Sequence, residues 1–421
     1  MTADAPPPDA ESDLSRLLHA DRRTGAEHGA LHKPVHISTT FGYATAAELV
    51  AVFQGANPGF VYARQGNPTG GALEAKLALL EGSRAAAGFS TGMAAIAGIL
   101  FALLKAGDHL VVSRHLFGNT RSLFQTVQGF GIDVDFVDAS ESDSVTGALR
   151  PSTRLVFVET IANPGTQVPD LTGIGRLCAE RSLLYVVDNT MTTPALLRAR
   201  DVGAGLIVHS LTKGLSGHGD AMGGAVIDTG LFDWTRWPHI AEPFRVGDPA
   251  GWGLLQIKKR GLRDFGATLR PEDAHRIATG LETLELRIGA TNANARELAQ
   301  WLEQQAAVAR VYYPGLASHP QHARAAGLFG GRFGSLLSFE LKPGIDPVAV
   351  LNRLRLIILS SHLSDNRSLA IPVAQTIFWE LGAGRRAEMG IADGLIRLSV
   401  GIEPVADLQA DLAHALAPFN G

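Results

Sequence analysis

One lysine has neighbours that suit it to covalent chemistry. The stretch GLIVHSLTKGLSGHGDAMGG, residues 205–224, begins as a short apolar strand that runs from Leu206 to His209. Lys213 follows this strand, beside Ser210 and Thr212 and ahead of a glycine-rich loop. A lysine placed just past a buried strand can lose its proton through desolvation and attack a carbonyl. We therefore predict that Lys213 is a Schiff-base lysine.

A second segment could bind an anion near that lysine. Ser90-Thr91-Gly92-Met93 comes directly after the predicted strand Ala85 to Phe89 and opens a predicted helix. Backbone N–H groups at a helix N-terminus attract anions, and the helix dipole adds to that attraction. The alternative interpretation is a plain N-cap. Ser210 and Thr212 could complete the same phosphate cup.

Three more side chains follow predicted strands. Asp188 ends the apolar strand that begins at Leu183, and is either a buried partner for a cation or a cap for the next turn. Asn163, in ETIANP, is either a turn residue ahead of proline or a hydrogen-bond donor to a ligand oxygen. Phe117 could stack on a planar ligand or belong to the core.

The pattern of elements predicts that these residues meet. From residue 70 onward, helical periods alternate with short apolar strands, which is typical of a mostly parallel sheet covered by helices on both faces. Ligands of such sheets bind at the carboxyl ends of the strands. After about residue 260, long amphipathic helices and a few strands predict a smaller α+β domain. Residues 1 to about 25, with three consecutive prolines and scattered charge, predict a mobile arm.

Composition excludes several classes of protein. The 421 residues carry 37 Lys and Arg against 41 Asp and Glu, and this net charge of -4 argues against nucleic-acid or anionic-membrane binding. The single cysteine, Cys178, excludes a disulfide framework or a cysteine-based zinc cluster, and we expect no metal. The longest apolar run is too short to span a bilayer, and the N-terminus lacks the apolar segment of a signal peptide. We expect a cytoplasmic protein.

The set of predicted side chains matches what pyridoxal phosphate requires. Its aldehyde needs a lysine, its phosphate needs an anion cup, and its pyridine nitrogen needs a carboxylate to stay protonated. Lys213, the Ser90–Met93 segment and Asp188 supply these groups, and Phe117 would cover the ring face.

The sequence resembles the trans-sulfuration (Cys/Met metabolism) family of pyridoxal-phosphate enzymes from roughly residue 29 to the C-terminus. This family includes cystathionine γ-synthase, O-acylhomoserine sulfhydrylases and methionine γ-lyase. The motifs that carry the resemblance occur in the family's order: YARQGNPT, STGMAAI, VETIANP, VVDNT, HSLTKGLSGHGD, YPGL and LIRLSVGIE.

The resemblance implies a role for each matching residue. Lys213 would bind the cofactor covalently, and Asp188 would bind its pyridine nitrogen. The residues implied to hold its phosphate are Gly92, Met93, Ser210 and Thr212. Tyr62 and Arg64 of a neighbouring subunit would reach the same phosphate, which makes a homodimer the smallest active unit and implies a homotetramer. Arg397 would clamp the substrate's α-carboxylate, with Asn163 and His362 also on the substrate side; without the resemblance, Arg397 would be read equally well as an exposed strand residue.

The resemblance also implies a fold-type I architecture. We expect an N-terminal arm and inter-subunit segment at 1–65, a cofactor-binding large domain at 66–260 and a small domain at 261–421.

Three departures from the family concern the substrate side. Phe117 stands where a tyrosine is usual, so the ring stack is kept and the phenol proton is lost. His362 and Ser364 stand where a serine and a glycine are usual. TIFWE, from Thr376 to Glu380, replaces a Thr-His pair.

The resemblance implies γ-replacement or γ-elimination on a homoserine- or methionine-type amino acid, with a thiol or sulfide as a possible co-substrate. A γ-lyase that releases 2-oxobutyrate and ammonia is the alternative, and an aminotransferase of the same fold is a remote one. A dinucleotide-binding protein is disfavoured because Gly217 to Met222 lacks the third glycine and the following helix.

Overall fold

The computed structural model describes residues 11–23 and 25–420. Its helices and strands are labelled in chain order. The strands are β1 (Ala85–Phe89), β2 (His109–Ser113), β3 (Asp133–Val137), β4 (Thr153–Glu159), β5 (Leu184–Asp188), β6 (Leu206–Ser210), β7 (Gly224–Asp228), β8 (Val308–Tyr312), β9 (Leu336–Leu341), β10 (Ile358–Leu359), β11 (Leu369–Pro372) and β12 (Leu395–Ser399).

Along the chain, the α-helices precede, alternate with or follow these strands. They are α1 (Asp13–Leu18), α2 (Ala20–Arg23), α3 (Ala46–Phe53), α4 (Pro68–Leu80), α5 (Gly92–Leu103), α6 (Gly118–Gln128), α7 (Ser142–Gly147), α8 (Leu171–Arg181), α9 (Thr193–Leu196), α10 (Trp252–Gln256), α11 (Pro271–Leu281), α12 (Leu284–Leu302), α13 (His322–Leu328), α14 (Pro347–Leu351), α15 (Gly382–Glu388) and α16 (Val405–Leu416). A π-helical segment, Ile257–Arg263, continues α10.

The larger sheet has seven strands in the order β1-β7-β6-β5-β4-β2-β3. The pairs from β6 to β3 are parallel, and β7 is antiparallel to both of its neighbours. The predicted mostly parallel sheet is therefore confirmed. The carboxyl ends of β4, β5 and β6 lie at one edge, where Glu159 pairs in register with Asp188 and Asp188 with Val208.

The central strands are apolar along their whole length because both faces are covered. Successive side chains of a strand point to opposite faces. Val186 and Val208 accordingly pack into one buried apolar cluster, and Val187 and Ile207 pack into another. This double burial fixes the strand ends, and with them the residues that follow each strand.

The smaller sheet has five strands in the order β10-β11-β12-β9-β8. Arg397 lies in its central strand β12, opposite Ser338 of β9 and Ile371 of β11. The two sheets fall within the predicted ranges 66–260 and 261–421, and those domain boundaries stay predictions.

The prediction of a mobile arm is wrong for residues 11–23, and residues 1–10 lie outside the described part of the chain. Helices α1 and α2 form there, and Leu17 is 1% exposed. Asp21 lies 3.1 Å from the Nζ atom of buried Lys76. A short amphipathic helix and a partner for a buried cation thus order a segment whose composition suggests solvent exposure.

Candidate active site

A cavity of about 680 Å³ opens at the carboxyl edge of the larger sheet. It brings together most of the residues predicted from the sequence. Those that line it are Gly92, Met93, Phe117, Asn163, Asp188, Ser210, Thr212, Lys213 and Arg397. They come from the ends of β1, β2, β4, β5 and β6 and from β12, so only the packing of both sheets makes them neighbours.

Lys213 follows β6 and is half-buried. Burial, and then the nearby charge of Arg397, lowers the pKa of its amine from 10.5 to about 8. Its Nζ atom lies 3.1 Å from Nδ1 of His362. A larger fraction of this amine is unprotonated near neutral pH than in an exposed lysine, so the amine can act as a nucleophile or a base.

One end of the cavity presents donors to an anion. Helix α5 begins at Gly92, and Thr91 caps it by accepting a hydrogen bond from the Ala94 amide at 2.9 Å. The first amides of a helix have no partner within the helix, so those of Gly92 and Met93 are available. A Cβ atom at Gly92 would lie 2.9 Å from Cβ of Ser210, which shows how closely the α5 terminus approaches the end of β6.

Thr212 holds the turn that leads to the lysine. Its hydroxyl accepts a hydrogen bond from the Gly223 amide at 3.0 Å and lies 3.3 Å from the Gly223 carbonyl. This contact ties the segment after β6 to the start of β7.

The N-cap at Thr91 is compatible with the predicted anion site, because the cap uses the amide of Ala94 and not those of Gly92 and Met93.

Two carboxyl groups meet inside the cavity. Asp188 accepts a hydrogen bond from the Thr190 amide at 3.0 Å, and Glu159 accepts one from the Phe117 amide at 2.7 Å. Burial raises the pKa of both carboxyl groups, and the neighbouring Asp188 raises that of Glu159 further. Two adjacent buried carboxyl groups do not ionise together, so we assign one negative charge to the pair.

Arg397 is 1% exposed, which contradicts its interpretation as an exposed strand residue. Its Nη2 atom donates to the carbonyls of Ser361, at 2.8 Å, and His362, at 2.9 Å. Its Nε atom is buried and has no hydrogen-bond partner within the described residues. The guanidinium therefore has donor capacity left for an acidic ligand.

Asn163 is also buried in the cavity wall, and its Oδ1 atom has no hydrogen-bond partner in residues 11–23 and 25–420. A buried polar atom without a partner costs free energy that a ligand can recover. The cavity thus contains two buried polar atoms, Nε of Arg397 and Oδ1 of Asn163, that a ligand could bind.

Tyr62 and Arg64 are not brought to this cavity. They line a separate pocket of about 340 Å³. The Arg64 guanidinium lies 5.4 Å from the centre of the Tyr62 ring and donates from Nη1 to the Arg263 carbonyl at 2.8 Å. The contact of these two residues with the phosphate of a neighbouring subunit, which the family resemblance implies, stays a prediction.

Two residues of the site were not singled out from the sequence. Glu159 ends an apolar strand as Asp188 does, so the same signal was present in the sequence. Arg287 lies in α12, and its guanidinium donates to the carbonyls of Gly214, at 2.8 Å, and Leu215, at 3.2 Å. Nothing in the helical pattern of α12 distinguishes this arginine from a solvent-exposed one.

Residues 11–23 and 25–420 contain neither a membrane-spanning helix nor a cluster of metal ligands. No helix there is long and apolar enough to cross a membrane. No group of three or more His, Cys, Asp or Glu side chains in that part of the chain is arranged to hold a metal ion.

Known proteins match almost the whole chain. The model of the family described as Cys/Met metabolism PLP-dependent enzyme matches residues 15–417. The L-methionine gamma-lyase of Fusobacterium nucleatum subsp. polymorphum is 38% identical over 393 residues, with 92% of this chain and 94% of that protein covered. The O-succinylhomoserine sulfhydrylase of Pseudomonas aeruginosa is 36% identical over 411 residues, with 97% and 96% covered.

A solved structure has a closely similar fold. The putative O-acetylhomoserine (thiol)-lyase of Campylobacter jejuni superposes with a TM-score of 0.90 at 30% identity, covering 97% of this chain and 100% of that one. That structure contains a pyridoxyl-lysine monophosphate residue.

Proposed function

The chain belongs to the Cys/Met metabolism family of PLP-dependent enzymes, and from that premise we propose that it catalyses γ-replacement or γ-elimination on a homoserine- or methionine-type amino acid. Its cofactor is pyridoxal 5'-phosphate. The observation that carries the proposal is the convergence of Lys213, Asp188 and Arg397 on one cavity.

The donor set of the cavity fits this cofactor. The amides of Gly92 and Met93, with the hydroxyls of Ser210 and Thr212, suit a phosphate. The close approach of Gly92 to Ser210 leaves no room for a side chain there, as expected of a cradle for a bound group. Asp188 suits a protonated ring nitrogen, and the ring of Phe117 suits a planar face. When bound, pyridoxal phosphate supplies a carbonyl that condenses with amines and a ring that withdraws electrons.

Three residues of the chain have separate roles in the reaction. Arg397 binds the α-carboxylate of the amino acid by two parallel hydrogen bonds and so fixes its orientation. Nζ of Lys213, with its lowered pKa, removes the α-proton of the substrate and, once it has given that proton up, removes a β-proton. The charge of Asp188 favours a cation beside it. Loss of the β-proton lets the γ-substituent leave, after which a thiol or sulfide adds or the product is released.

Part of the lining of the cavity is apolar. Its apolar members are Phe117, Met191, Met222, Ile377, Phe378 and Trp379. This surface would sit beside the γ-substituent and favours an apolar group or a sulfur nucleophile there. Replacement with a sulfur nucleophile is therefore our first proposal, and elimination to 2-oxobutyrate and ammonia is the second.

The cofactor assignment is tested by spectroscopy and reduction. We expect the purified protein to absorb in the visible range, and borohydride to add the mass of the cofactor to the peptide that contains Lys213. Lys213→Ala abolishes that addition. Lys342→Ala, which changes an exposed lysine, leaves it intact. Covalent incorporation that persists in Lys213→Ala would refute the assignment.

The reaction type is tested by product analysis. 2-Oxobutyrate is assayed with O-acetylhomoserine, O-succinylhomoserine, methionine or cystathionine, each with and without a thiol. Replacement predicts that the thiol suppresses 2-oxobutyrate and yields a new thioether. Rapid release of 2-oxobutyrate from methionine would contradict replacement as the main role.

The assembly and location of the protein also belong to the proposal. The position of Tyr62 and Arg64 outside the cavity of their own chain supports a homodimer with shared sites, and a homotetramer stays a prediction. A cytoplasmic location stays a prediction from the composition.

A further inference from the structure

His362 contacts the lysine at the centre of the site. Its Nδ1 atom lies 3.1 Å from Nζ of Lys213, and the two residues are separated by 149 positions in the chain. The loop that carries His362 follows β10. The family that the sequence resembles usually has a serine at this position, so the imidazole is a departure of this chain.

The loop is fixed on both sides of the imidazole. The His362 carbonyl accepts a hydrogen bond from Nη2 of Arg397 at 2.9 Å. Farther along, the Asn366 amide donates to the Gly217 carbonyl at 2.9 Å, and Nη2 of Arg367 donates to the His218 carbonyl at 2.7 Å. The loop thus docks on the segment after Lys213, and the imidazole has little freedom to leave the lysine.

We propose that His362 is a positioning residue for Lys213, whose amine donates a hydrogen bond to Nδ1 of the neutral imidazole and is held in one orientation by it. This inference rests on the proposed function, because it concerns the same lysine. A lysine that moves protons between several substrate atoms must return to a defined position after each transfer. A directional acceptor 3.1 Å away supplies that position.

The charges around the imidazole agree with an accepting role. Burial, and then the charge of Lys213, lowers the pKa of His362 from 6.5 to about 4, so the ring is neutral near pH 7. Asp365 opposes this shift, whereas Arg397 and Arg367 add to it. Because the lysine ammonium has donors and no acceptor, Nδ1 accepts and the ring proton lies on Nε2.

The other ring nitrogen gives no competing anchor. Nε2 of His362 is buried and has no hydrogen-bond partner among the described residues. The contact with Lys213 is therefore the hydrogen bond that the structure assigns to this imidazole. Burying Nε2 without a hydrogen-bond partner costs free energy, and the hydrogen bond of the other ring nitrogen is made to Lys213.

Two amide substitutions at His362 test the two ring nitrogens separately. In His362→Asn the side-chain oxygen lies near the place of Nδ1, and in His362→Gln it lies near the place of Nε2. Both side chains are polar and uncharged, which makes them matched controls for each other. The full chain freed of cofactor is labelled with acetic anhydride at a series of pH values, and the labelling of Lys213 is measured by mass spectrometry relative to that of Lys342.

We expect Lys213 of the unsubstituted protein to label with a pKa near 8. His362→Asn keeps that value, because an acceptor stays beside the ammonium. His362→Gln lowers it by about one pH unit, since a hydrogen bond to the charged form is lost. In the loaded enzyme, His362→Gln lowers kcat by about tenfold with KM little changed, and His362→Asn, which keeps an acceptor near the place of Nδ1, lowers kcat less. Equal Lys213 titrations in the two variants, whether both unchanged or both lowered, would overturn the proposal.

A failure of this inference is distinguishable from a failure of the proposed function. Borohydride trapping of the cofactor on Lys213 in the unsubstituted protein tests the function alone. The labelling titration uses protein without cofactor and tests the contact of Lys213 with His362 alone.

Discussion

At the scale of single residues, the paired carboxyl groups of Glu159 and Asp188 define the electrostatics of the cavity. They end adjacent parallel strands in register and line a common space, with Glu159 buried and Asp188 half-buried. Because the pKa of Glu159 is raised well above its usual 4.5, by burial first and by Asp188 second, we assign the proton to Glu159 and the charge to Asp188. The pair therefore offers one anion to the cofactor.

Substitutions at the two carboxyl groups should differ sharply in effect. Asp188→Asn removes the charge and should lower kcat/KM by about two orders of magnitude or more. Glu159→Gln replaces a neutral carboxyl group by a neutral amide of the same shape that can still accept from Phe117, so turnover near pH 7 should change less than about threefold. Steady-state kinetics checks both, and equal losses would show that the charge is shared.

The same assignment has a consequence for stability. Since the folded-state pKa of Glu159 exceeds its value of 4.5 in the unfolded chain, the folded protein keeps the proton longer, and this carboxyl group stabilises most at low pH. Its contribution is lost as pH rises from the unfolded to the folded pKa, by up to about 1.4 kcal/mol per pH unit. In urea unfolding, the free energy of unfolding of Glu159→Gln should rise relative to that of the unsubstituted protein as the pH increases from about 5 towards neutrality. A constant difference across this range would contradict the raised pKa.

Phe117 offers a test of leaving-group chemistry. Its side chain lines the cavity and carries no acid, so a phenol introduced by Phe117→Tyr could protonate a departing γ-substituent. We expect release of 2-oxobutyrate to rise about tenfold, which is modest for general acid catalysis. Phe130→Tyr, the same change at a ring that is 59% exposed, is the control. An unchanged rate in Phe117→Tyr would show that protonation does not limit elimination.

At the scale of elements, helix α12 holds the segment after Lys213 through one guanidinium. Arg287 donates to the carbonyls of Gly214, Leu215 and Gly280 and, from Nε, to the Thr283 hydroxyl at 3.2 Å. These bonds connect a helix beyond residue 260 with the loop that carries the lysine. The orientation of Lys213 therefore depends on packing between distant parts of the chain.

A glycine in that loop makes room for the guanidinium. A Cβ atom at Gly217 would lie 1.9 Å from Nη1 of Arg287, and the residue has a φ of +76°. Gly217→Ala should displace Arg287 and lower the free energy of unfolding by about 2–4 kcal/mol, with a loss of turnover. Gly247→Ala shares the positive φ, at +64°, without a neighbour within 4 Å, and should cost only about 1 kcal/mol. Equal losses of stability and activity in the two variants would refute the role of Arg287.

At the scale of the whole molecule, the predicted shared site concerns residues that line separate cavities of one chain. Lys213 lines one cavity, and Tyr62 and Arg64 line another. Within the described residues, the Arg64 side chain makes a hydrogen bond to the Arg263 carbonyl and a contact with the Tyr62 ring. A second subunit is the physical means by which its charge would reach the phosphate beside Lys213.

Subunit complementation tests that arrangement. Lys213→Ala and Arg64→Ala proteins should each be nearly inactive. A mixed dimer, purified through two tags after coexpression, has one site with both residues intact and should recover about half of the unsubstituted activity. The two variants expressed apart and mixed without unfolding serve as control. Mixed dimers as inactive as their parents would refute the shared site.

The sequence by itself determined the local features. The strands that begin at Leu206 and Leu183 are predictable because strands buried on both faces are apolar along their length. The glycine and hydroxyl residues around Lys213 indicate a loop after such a strand. Because parallel strands end at a common edge of the sheet, the sequence predicts that Asp188 and Gly92 lie near Lys213. The family motifs then supplied the cofactor, a conclusion that the family match confirms.

Only the tertiary structure decided the long-range contacts and the charges. His362 lies against Lys213, Arg287 holds the loop after it, and Leu17 orders a segment that its composition suggested was an arm. Each depends on the packing of segments far apart in the chain, which no local pattern encodes. The proton on Glu159 likewise follows from burial beside Asp188, a property of the folded environment and not of the residue type.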